Sequence, residues 1–460
     1  MLTAKKYHIH FVGAGGIGMS GIAELLINLG YTISGSDIRQ NASVKRLEKL
    51  GAKIFIGHRA ENIGGCDVLV YSSAVTRENP EVRAALDRAI PIIPRAEMLA
   101  ELMRMKYSVC VGGSHGKTST SSMLATVLAD AGLDPTMIIG GILKSIGSNA
   151  KLGKSDYLVA ESDESDGSFL KLYPTVAIVT NIDREHIQHY GSMKKLKRAF
   201  VEFVNRVPFY GLGVLCFDHP NVQAIIPAVE KRFVTYGFSG QADYRATSVR
   251  INGVGSEFSV WYCREKLGDV SLKMMGEHNV LNALAVIAAA DEIGVKFESI
   301  KRSLASFEGI GRRFEIVAEP KGITIVDDYG HHPSEIKETI KSASRHLKRR
   351  IIAVFQPHRY TRTQDLMSRF AKAFDLADIV VVTEIYPAGE KPIRGVTAKA
   401  LARLIGKRGR SLVEYIASLD DIPPRLLKIV REGDVVITFG AGDVNKVCGK
   451  LATLIEGELK

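Results

Sequence analysis

The chain has 460 residues, of which 46% are hydrophobic and 24% charged, and this length corresponds to about three domains, each with its own core. No apolar run approaches the ~18 residues of a membrane-spanning helix, and the N-terminus enters a strand without a signal-peptide pattern. The net charge of +11 comes from dispersed basic residues, and the five cysteines are scattered without metal-ligand spacing, so the sequence favours anionic substrates and a reducing cytoplasm over nucleic acid or structural zinc.

The first pattern in the chain is a dinucleotide-binding fingerprint after a predicted strand at residues 8–12. The strand enters a glycine loop followed by helical periodicity, and an acid, Asp37, comes 22 residues after Gly15, where it would bind a ribose hydroxyl. The residues expected to bind this phosphorylated ligand are Gly13, Gly15, Gly16, Gly18, Asp37, Ser72 and Ser73. Taken alone, the fingerprint is typical of an NAD-dependent oxidoreductase.

A second phosphate loop begins where an apolar run at residues 107–111 ends. Its glycines let backbone N–H groups turn toward a polyphosphate, its Lys would reach the outer phosphates, and its Thr hydroxyl would take a place on Mg²⁺. The expected nucleotide-binding residues are Gly112, Gly113, Ser114, His115, Gly116, Lys117, Thr118 and Ser119. Val111 stands where the general P-loop pattern has its first glycine, so the loop is one residue short. A plain glycine turn is the alternative, which the strand before and the helix after disfavour. Two loops of different type predict two ligands, a triphosphate and a diphosphate.

Acidic and histidine-bearing segments follow the next two predicted strands. Residues 157–160 run into Glu161 and an acidic stretch, and residues 176–180 lead toward His186. Groups that follow parallel strands gather at one sheet edge, so we expect Glu161 and His186 near the phosphates as Mg²⁺ ligands. A solvated acidic loop is the alternative. Short alternating segments in 211–275 then predict antiparallel strands, followed by a helix that carries Asn282 on its first turn.

A third α/β unit is predicted from near Arg313, with strands alternating with helices, which makes a parallel sheet the expected arrangement. Polar clusters at 327–333 and 356–362 follow two of its strands. Histidines beside aspartates there could indicate a metal site, but no Cys or regular i, i+4 His pair supports ligation. We therefore interpret these clusters as binding loops.

Together the motifs GAGGIGMSG, GGSHGKTSTS, ESDESD, HIQHYG, GEHNVLNALA, GRRFE, DDYGHHP and PHRYTRT resemble the Mur ligase family, in family order from about residue 8 to 445. The resemblance implies an α/β protein of three domains: a Rossmann-like UDP-sugar domain (1–104), a central P-loop ATPase-type domain with a mixed sheet (105–311) and a Rossmann-like ligase domain with a parallel sheet (312–460). It also implies ATP and Mg²⁺, and a branch of the family that joins L-alanine to the lactyl carboxylate of UDP-N-acetylmuramate through an acyl phosphate, the first peptide-adding step of peptidoglycan synthesis.

The resemblance also implies roles for single residues. Lys117 and Thr118 match the positions that serve the ATP phosphates and metal, and Glu161 and His186 match the ligands of the second magnesium. Lys117, Glu161, His186 and Arg313 are the expected catalytic residues. Nucleotide-binding positions of the family fall on Asn279, Asn282, Arg313 and Asp328, and those of the amino-acid site fall on Tyr329, His331, His358, Arg359 and Arg362. Gln188 stands where the family usually has Asp, which leaves any role of that Asp open.

Three other functions compete with this interpretation, and one of them is a non-catalytic nucleotide switch. A recycling ligase of the same family would add a preformed murein tripeptide to the same UDP-sugar; the segment PHRYTRT favours L-alanine. An NAD-dependent oxidoreductase is supported by the first fingerprint alone. The sequence predicts no membrane span and no nucleic-acid partner, and it leaves open whether the protein is a monomer or a homodimer.

Overall fold

The computed structural model describes residues 7–72, 74–104, 106–143 and 148–457. It divides into two compact units. One comprises the chain up to Val249 together with Glu257–Leu272 and Asn279–Glu308, and the other comprises Arg250–Ser256, Lys273–His278 and the chain from Gly309 onward. Three β-sheets organise them.

The N-terminal sheet is parallel and has five strands in the order β3-β2-β1-β4-β5. Its elements are β1 (His8–Val12), α1 (Ile17–Asn28), β2 (Thr32–Asp37), α2 (Ala42–Lys49), β3 (Lys53–Ile56), β4 (Val68–Tyr71), α3 (Pro80–Asp87), β5 (Ile92–Pro94) and α4 (Arg95–Met103). The strand order reverses direction at β1, whose carboxyl end carries the first glycine loop. Ligands bind at such switch points in open α/β sheets.

The central sheet has ten strands in the order β15-β14-β13-β12-β11-β10-β6-β9-β7-β8. Its elements are β6 (Tyr107–Gly112), α5 (Lys117–Asp130), β7 (Thr136–Leu143), β8 (Ser148–Lys151), β9 (Tyr157–Glu161), β10 (Val176–Val179), α6 (Ile187–Tyr190), α7 (Met193–Asn205), β11 (Leu212–Cys216), α8 (Pro220–Gln223), β12 (Phe233–Gly237), β13 (Tyr244–Asn252), β14 (Gly255–Tyr262), β15 (Glu265–Leu272), α9 (Glu277–Glu292) and α10 (Phe297–Ser306). β6 lies between β10 and β9 and is parallel to both, so the polar segments after all three strands meet at one edge.

The antiparallel prediction for residues 211–275 is wrong for its first part. β11 pairs parallel with β10, and β12 pairs parallel with β11 and β13. Two-residue links join β13 to β14 and β14 to β15, which only antiparallel neighbours allow. Short alternating segments do not distinguish the two kinds of pairing, since both have a side-chain period of two.

The third sheet has six strands in the order β16-β17-β21-β18-β19-β20, all parallel except the edge strand β16. Its elements are β16 (Glu315–Ala318), β17 (Thr324–Asp328), α11 (Pro333–Leu347), β18 (Ile351–Phe355), α12 (Tyr360–Ala373), β19 (Ile379–Val382), α13 (Ala398–Gly406), β20 (Leu412–Tyr415), α14 (Ile422–Leu427), β21 (Val435–Phe439) and α15 (Lys446–Gly457).

Helices cover both faces of the third sheet, which explains why its strands are continuously apolar. One face packs Val326, Phe355 and Phe439 against α11, α12 and α13, and the other packs Ile325 and Val436 against α14 and α15. Each such fully buried side chain contributes roughly 1.5–3 kcal/mol, which fixes the strand ends where the polar loops begin.

The three sheets and their helices confirm the predicted α/β fold class. The first and third sheets are parallel, apart from one antiparallel edge strand in the third, and the central sheet is mixed. The domain boundaries after residues 104 and 311 separate the three sheets and stay predictions. Among the described residues, no helix combines the length and apolarity needed to cross a bilayer.

Candidate active site

The second phosphate loop connects β6 to α5 and depends on two glycines with positive φ. Gly113 has φ 136° and Gly116 has φ 80°. A Cβ on Gly116 would lie 2.6 Å from Asn282 Oδ1, and one on Gly113 would collide with the Thr180 hydroxyl. Side chains at these positions would be strained and would fill the space against the loop. The loop thus brings its backbone to the N-terminus of a 14-residue helix, an arrangement suited to a polyphosphate.

A segment after β10 holds this loop in place. The Asn181 side chain accepts a hydrogen bond from the His115 backbone N–H (2.8 Å) and donates one to the His115 carbonyl (2.9 Å). The Asp183 N–H donates to Ser114 Oγ (2.8 Å), and the Asp183 carboxylate lies 2.9 Å from His115 Nε2. Sequence reasoning missed Asn181 and Asp183. The signal was available, because both follow a strand next to β6.

Lys117, the first residue of α5, is mostly buried and lies between the loop and an acidic side chain. Its Nζ donates to the Gly113 carbonyl (2.5 Å) and to both carboxylate oxygens of Glu164, at 2.9 and 3.1 Å. Burial alone would lower the pKa of Lys117, but the carboxylates of Glu164 and Glu161 outweigh it and raise the pKa. Lys117 is therefore a cation in the phosphate loop. The structure adds Glu164, which the sequence analysis did not single out.

Glu161 ends β9 and contacts the helix start from the other side. Its Oε2 accepts hydrogen bonds from the Thr118 hydroxyl (2.8 Å) and from the Gly140 N–H (2.9 Å). The predicted metal ligands Thr118 and Glu161 therefore lie together. A hydroxyl and a carboxylate oxygen at this spacing are the hard oxygen donors that Mg²⁺ prefers, so the two residues fit such an ion.

His186 lies with a different pair of carboxylates. It has φ 54° and precedes α6, and its Nε2 is 3.8 Å from Glu164 Oε1 and 3.7 Å from Glu185 Oε2. Each of these three residues offers one possible ligand atom, and the three atoms all lie within 4.8 Å of one another. Glu164 thus links Lys117 to His186, while Glu161 contacts Thr118.

Two asparagines of α9 close the other side of the phosphate loop. Asn282, which is nearly fully buried, faces Gly116. Its Nδ2 lies 3.4 Å from Asn279 Oδ1. The predicted nucleotide-binding residues Asn279 and Asn282 therefore adjoin the loop, and Asn282 would fix the approach of any ligand bound there.

The first glycine loop is hydrogen-bonded to the end of β2. Asp37, at the end of β2, accepts a hydrogen bond from the Gly15 N–H (2.8 Å), and the Ser36 carbonyl accepts from Gly13 (2.8 Å). Ser72 lies against Gly13, whose added Cβ would come 3.2 Å from the Ser72 Cβ. Gly16 precedes α1 and Gly18 lies in its first turn, and Ser73 lies outside the described residues.

Arg95 connects this loop to the acidic segment. A Cβ on Gly18 would lie 2.5 Å from Arg95 Nη1, and Arg95 Nη2 is 3.8 Å from Asp163 Oδ2. A guanidinium therefore stands between the first glycine loop and the acidic segment within this compact unit. Sequence reasoning missed it, because the residue follows a short strand and belongs to no motif.

Within the second compact unit, the segment before β16 that carries Arg313 is hydrogen-bonded to Asp328. Asp328 Oδ2 accepts from the Phe314 N–H (2.9 Å) and Oδ1 from the Gly330 N–H (2.7 Å). Burial raises the pKa of Asp328 to about 6, although the Arg313 charge opposes the rise. Arg313 Nη1 lies 3.5 Å from Glu335 Oε1. The carboxylate is thus a fixed acceptor at the end of β17.

The predicted amino-acid residues form one cluster in this unit. The rings of Tyr329 and His331 are 5.5 Å apart, those of His331 and His358 are 5.9 Å apart, and Arg362 Nη1 lies 3.3 Å from His358 Nδ1. Desolvation lowers the pKa of His331 to about 3 and that of His358 to about 4, so both imidazoles are neutral near pH 7. Arg359 is exposed and precedes α12 with φ 70°. Arg359 and Arg362 thus offer guanidinium groups beside neutral rings, an arrangement suited to binding a carboxylate.

Three family profiles match successive parts of the chain: "Mur ligase family, catalytic domain" at residues 8–107, "Mur ligase middle domain" at 111–290 and "Mur ligase, glutamate ligase domain" at 312–442. A curated UDP-N-acetylmuramate–L-alanine ligase from Geotalea daltonii is 57% identical over 96% of this chain and 97% of its own. The crystal structure of a UDP-N-acetylmuramate–alanine ligase from Thermotoga maritima has a TM-score of 0.82 at 30% identity, covering 98% of this chain and 100% of that one. A murein peptide ligase from Psychrobacter arcticus shares the fold, with a TM-score of 0.71 at 24% identity over 98% of each chain.

Proposed function

Because the chain belongs to the Mur ligase family, we propose that it joins L-alanine to the lactyl carboxylate of UDP-N-acetylmuramate and converts ATP to ADP and phosphate. The reaction passes through an acyl phosphate and gives UDP-N-acetylmuramoyl-L-alanine, a peptidoglycan precursor. The observation that carries the proposal is the full-length similarity to curated ligases of this name, combined with two phosphate loops of different type in one chain.

The central loop binds the ATP phosphates. Lys117 neutralises charge on the outer phosphates, and the backbone of residues 112–116 encloses them at the start of α5. Thr118 would take a place on Mg²⁺ beside Glu161, and Glu161 with His186 would serve a second Mg²⁺, with the carboxylate of Glu164 next to His186. Bound Mg²⁺ reduces the repulsion between an attacking carboxylate and the γ-phosphate. Asn279 and Asn282 adjoin this loop, and the family's nucleotide-binding positions also fall on Arg313 and Asp328.

The N-terminal loop binds the UDP-sugar. Gly13, Gly15, Gly16 and Gly18 let the backbone approach the diphosphate at the N-terminus of α1, and Ser72 extends this surface after β4. Asp37 is already hydrogen-bonded to Gly15, so it orders the loop as well as offering an oxygen to a ribose.

The amino-acid substrate binds in the third domain. Arg359 and Arg362 pair with its carboxylate, and Tyr329, His331 and His358 surround it with neutral groups. Pinning the carboxylate leaves the amine to attack the acyl phosphate. Orientation of this kind supplies several kcal/mol toward catalysis, on the order of what intramolecular reactions gain.

The competing functions are not favoured. The murein peptide ligase shares the fold but is only 24% identical to this chain, against 57% for the L-alanine ligase. An oxidoreductase would have no use for the second phosphate loop. The basic residues just before β18, which could suggest nucleic-acid binding, have partners within the protein: Arg350 pairs with Asp434 (2.8 Å), and Arg349 donates to backbone carbonyls.

We place the reaction in the cytoplasm, where the five unpaired cysteines stay reduced.

Release of ADP, measured against a panel of UDP-sugars and amino acids, tests the proposal. We expect turnover with UDP-N-acetylmuramate plus L-alanine and none with UDP-N-acetylglucosamine. Turnover only with the murein tripeptide would assign the recycling reaction. Bound nicotinamide seen by absorbance, with no ADP release, would assign the oxidoreductase.

A further inference from the structure

Tyr386, which no motif singles out, contacts the predicted amino-acid site directly. Its ring stacks on the ring of His358, with 5.5 Å between centroids and 7° between planes. The backbones are joined as well: Tyr386 N–H donates to the Pro357 carbonyl (2.8 Å), and Arg359 N–H donates to the Tyr386 carbonyl (2.8 Å). The loop after β19 is therefore fixed to the segment that carries His358 and Arg359.

The position of Tyr386 is also defined from its other side. A Cβ on Gly442 would lie 2.8 Å from the Tyr386 ring, so the absence of a side chain there leaves the room that the ring occupies. The carbonyl of Gly442 accepts a hydrogen bond from Arg312 Nη1 (3.2 Å), and the Arg312 guanidinium lies 5.0 Å from the Tyr329 ring centroid.

These contacts close a ring. From Tyr329 the chain of neighbours runs through His331, His358, Tyr386, Gly442 and Arg312 back to Tyr329. Such a closed set resists the tilting of any one member, because each ring is held on two sides.

Within this set, His358 needs an outside constraint. Its Nδ1 faces an Arg362 N–H at 3.3 Å and accepts from it, so Nε2 carries the proton of the neutral imidazole. Rotation of the imidazole about its Cβ–Cγ bond would break the contact with Arg362 and turn the Nε2–H away. The stacked Tyr386 ring opposes that rotation, because tilting the imidazole would lose the parallel contact between the two rings.

We propose that Tyr386 is a positioning residue for the amino-acid substrate: by stacking on His358 it fixes the orientation of that imidazole relative to Arg362, and so the affinity for the acceptor. The inference rests on the proposed function, because it takes His358 and Arg362 as part of the amino-acid site. Stacking requires the ring of Tyr386 and not its hydroxyl.

Two variants separate positioning from general stability. Tyr386→Phe keeps the ring, and Tyr386→Leu keeps apolar volume without an aromatic face. With purified full-length enzyme, we expect Tyr386→Leu to raise the KM for L-alanine about fivefold or more while the KM values for ATP and UDP-N-acetylmuramate stay within twofold. We expect Tyr386→Phe to restore the wild-type KM for L-alanine.

Each other outcome counts against the inference. Wild-type L-alanine kinetics in Tyr386→Leu would overturn it, and so would a parallel rise of all three KM values with a lowered Tm, which would indicate a structural role only. Failure of Tyr386→Phe to restore the KM would show that the hydroxyl and not the stacked ring matters. A wild-type enzyme without L-alanine-dependent ADP release would instead refute the proposed function, and the inference with it.

Discussion

Lys117 and Glu164 form a buried ion pair, with Nζ 2.9 Å from Oε2 and 3.1 Å from Oε1, although 47 residues separate them in sequence. The Glu164 side chain is almost fully buried and also lies 3.8 Å from His186. Burial raises the pKa of Glu164, and the Lys117 charge works against that rise. The lysine that we propose for the ATP phosphates therefore has a carboxylate partner of its own.

Glu164→Gln should strengthen the binding of ATP in the absence of magnesium by about threefold to tenfold. The carboxylate competes with the phosphates for Lys117 and repels them, whereas an amide keeps the shape without the charge. Calorimetric titration with ATP and a chelator measures this. Asp163→Asn is the matched control, because Asp163 is half-exposed and pairs with Arg95. Weaker ATP binding in Glu164→Gln would mean that Glu164 orients Lys117 rather than competing for it.

Lys117→Ala should abolish ligation and weaken ATP binding roughly tenfold to a hundredfold, the cost of one or two charged hydrogen bonds. Binding of UDP-N-acetylmuramate should survive, because the two phosphate loops follow strands of different sheets. Calorimetry with each ligand measures both effects, with the exposed Lys171→Ala as control. Equal losses for the two ligands would show that the loops do not act separately.

Glu161→Gln should raise the Mg²⁺ concentration needed for half-maximal activity several-fold. An amide oxygen is a weaker ligand than a carboxylate, and Glu161 lies 2.8 Å from the Thr118 hydroxyl. Magnesium titration of ADP release measures the change, with the exposed Asp166→Asn from the same acidic segment as control. An unaltered magnesium requirement with a shifted pH profile would indicate an acid–base role instead.

Arg359→Lys should raise the KM for L-alanine about tenfold or more, since losing one charged hydrogen bond costs about 1.5–3 kcal/mol. Lys cannot reproduce the planar fork that pairs with a carboxylate. Arg369→Lys, farther along α12 and bonded to Ser334, is the control. If the KM for ATP rises and that for L-alanine does not, these arginines bind the nucleotide.

Glu81→Gln should destabilise the N-terminal sheet at neutral pH and less so in acid. Burial alone would raise the pKa of Glu81, but the adjacent His10 and hydrogen bonds from Ser36 and Asn62 lower it from 4.5 to about 2. A lowered folded-state pKa gives stability that is present above the unfolded value of 4.5 and is lost as pH falls toward 2. The shift corresponds to up to about 3 kcal/mol.

Hydrogen exchange of the β1 and β2 amides at pH 7 and pH 3 measures the difference between wild type and Glu81→Gln. We expect the gap in opening free energy to shrink by roughly half at pH 3. The exposed Glu61→Gln is the control. A gap that is the same at both pH values would show that the loss comes from packing and not from the charge.

Both phosphate loops could be predicted from the sequence because their function resides in the local backbone. A glycine with positive φ, a helix start and a strand end lie within a few residues of one another, so spacing alone reveals them, as at Gly113, Gly116 and Lys117. The strand before each loop was equally visible, since a strand buried on both faces is continuously apolar.

The partners of these residues depend on which strands are neighbours, and only the tertiary structure decided that. β6 lies between β9 and β10, and this order places Glu161 beside Thr118 and Asn181 beside His115. The spacing of residues in the sequence did not indicate that Lys117 pairs with Glu164 or that Tyr386 stacks on His358. Each of these contacts joins two segments that follow different strands. Side-chain contacts across a parallel sheet follow strand order, and short apolar strands do not encode that order individually.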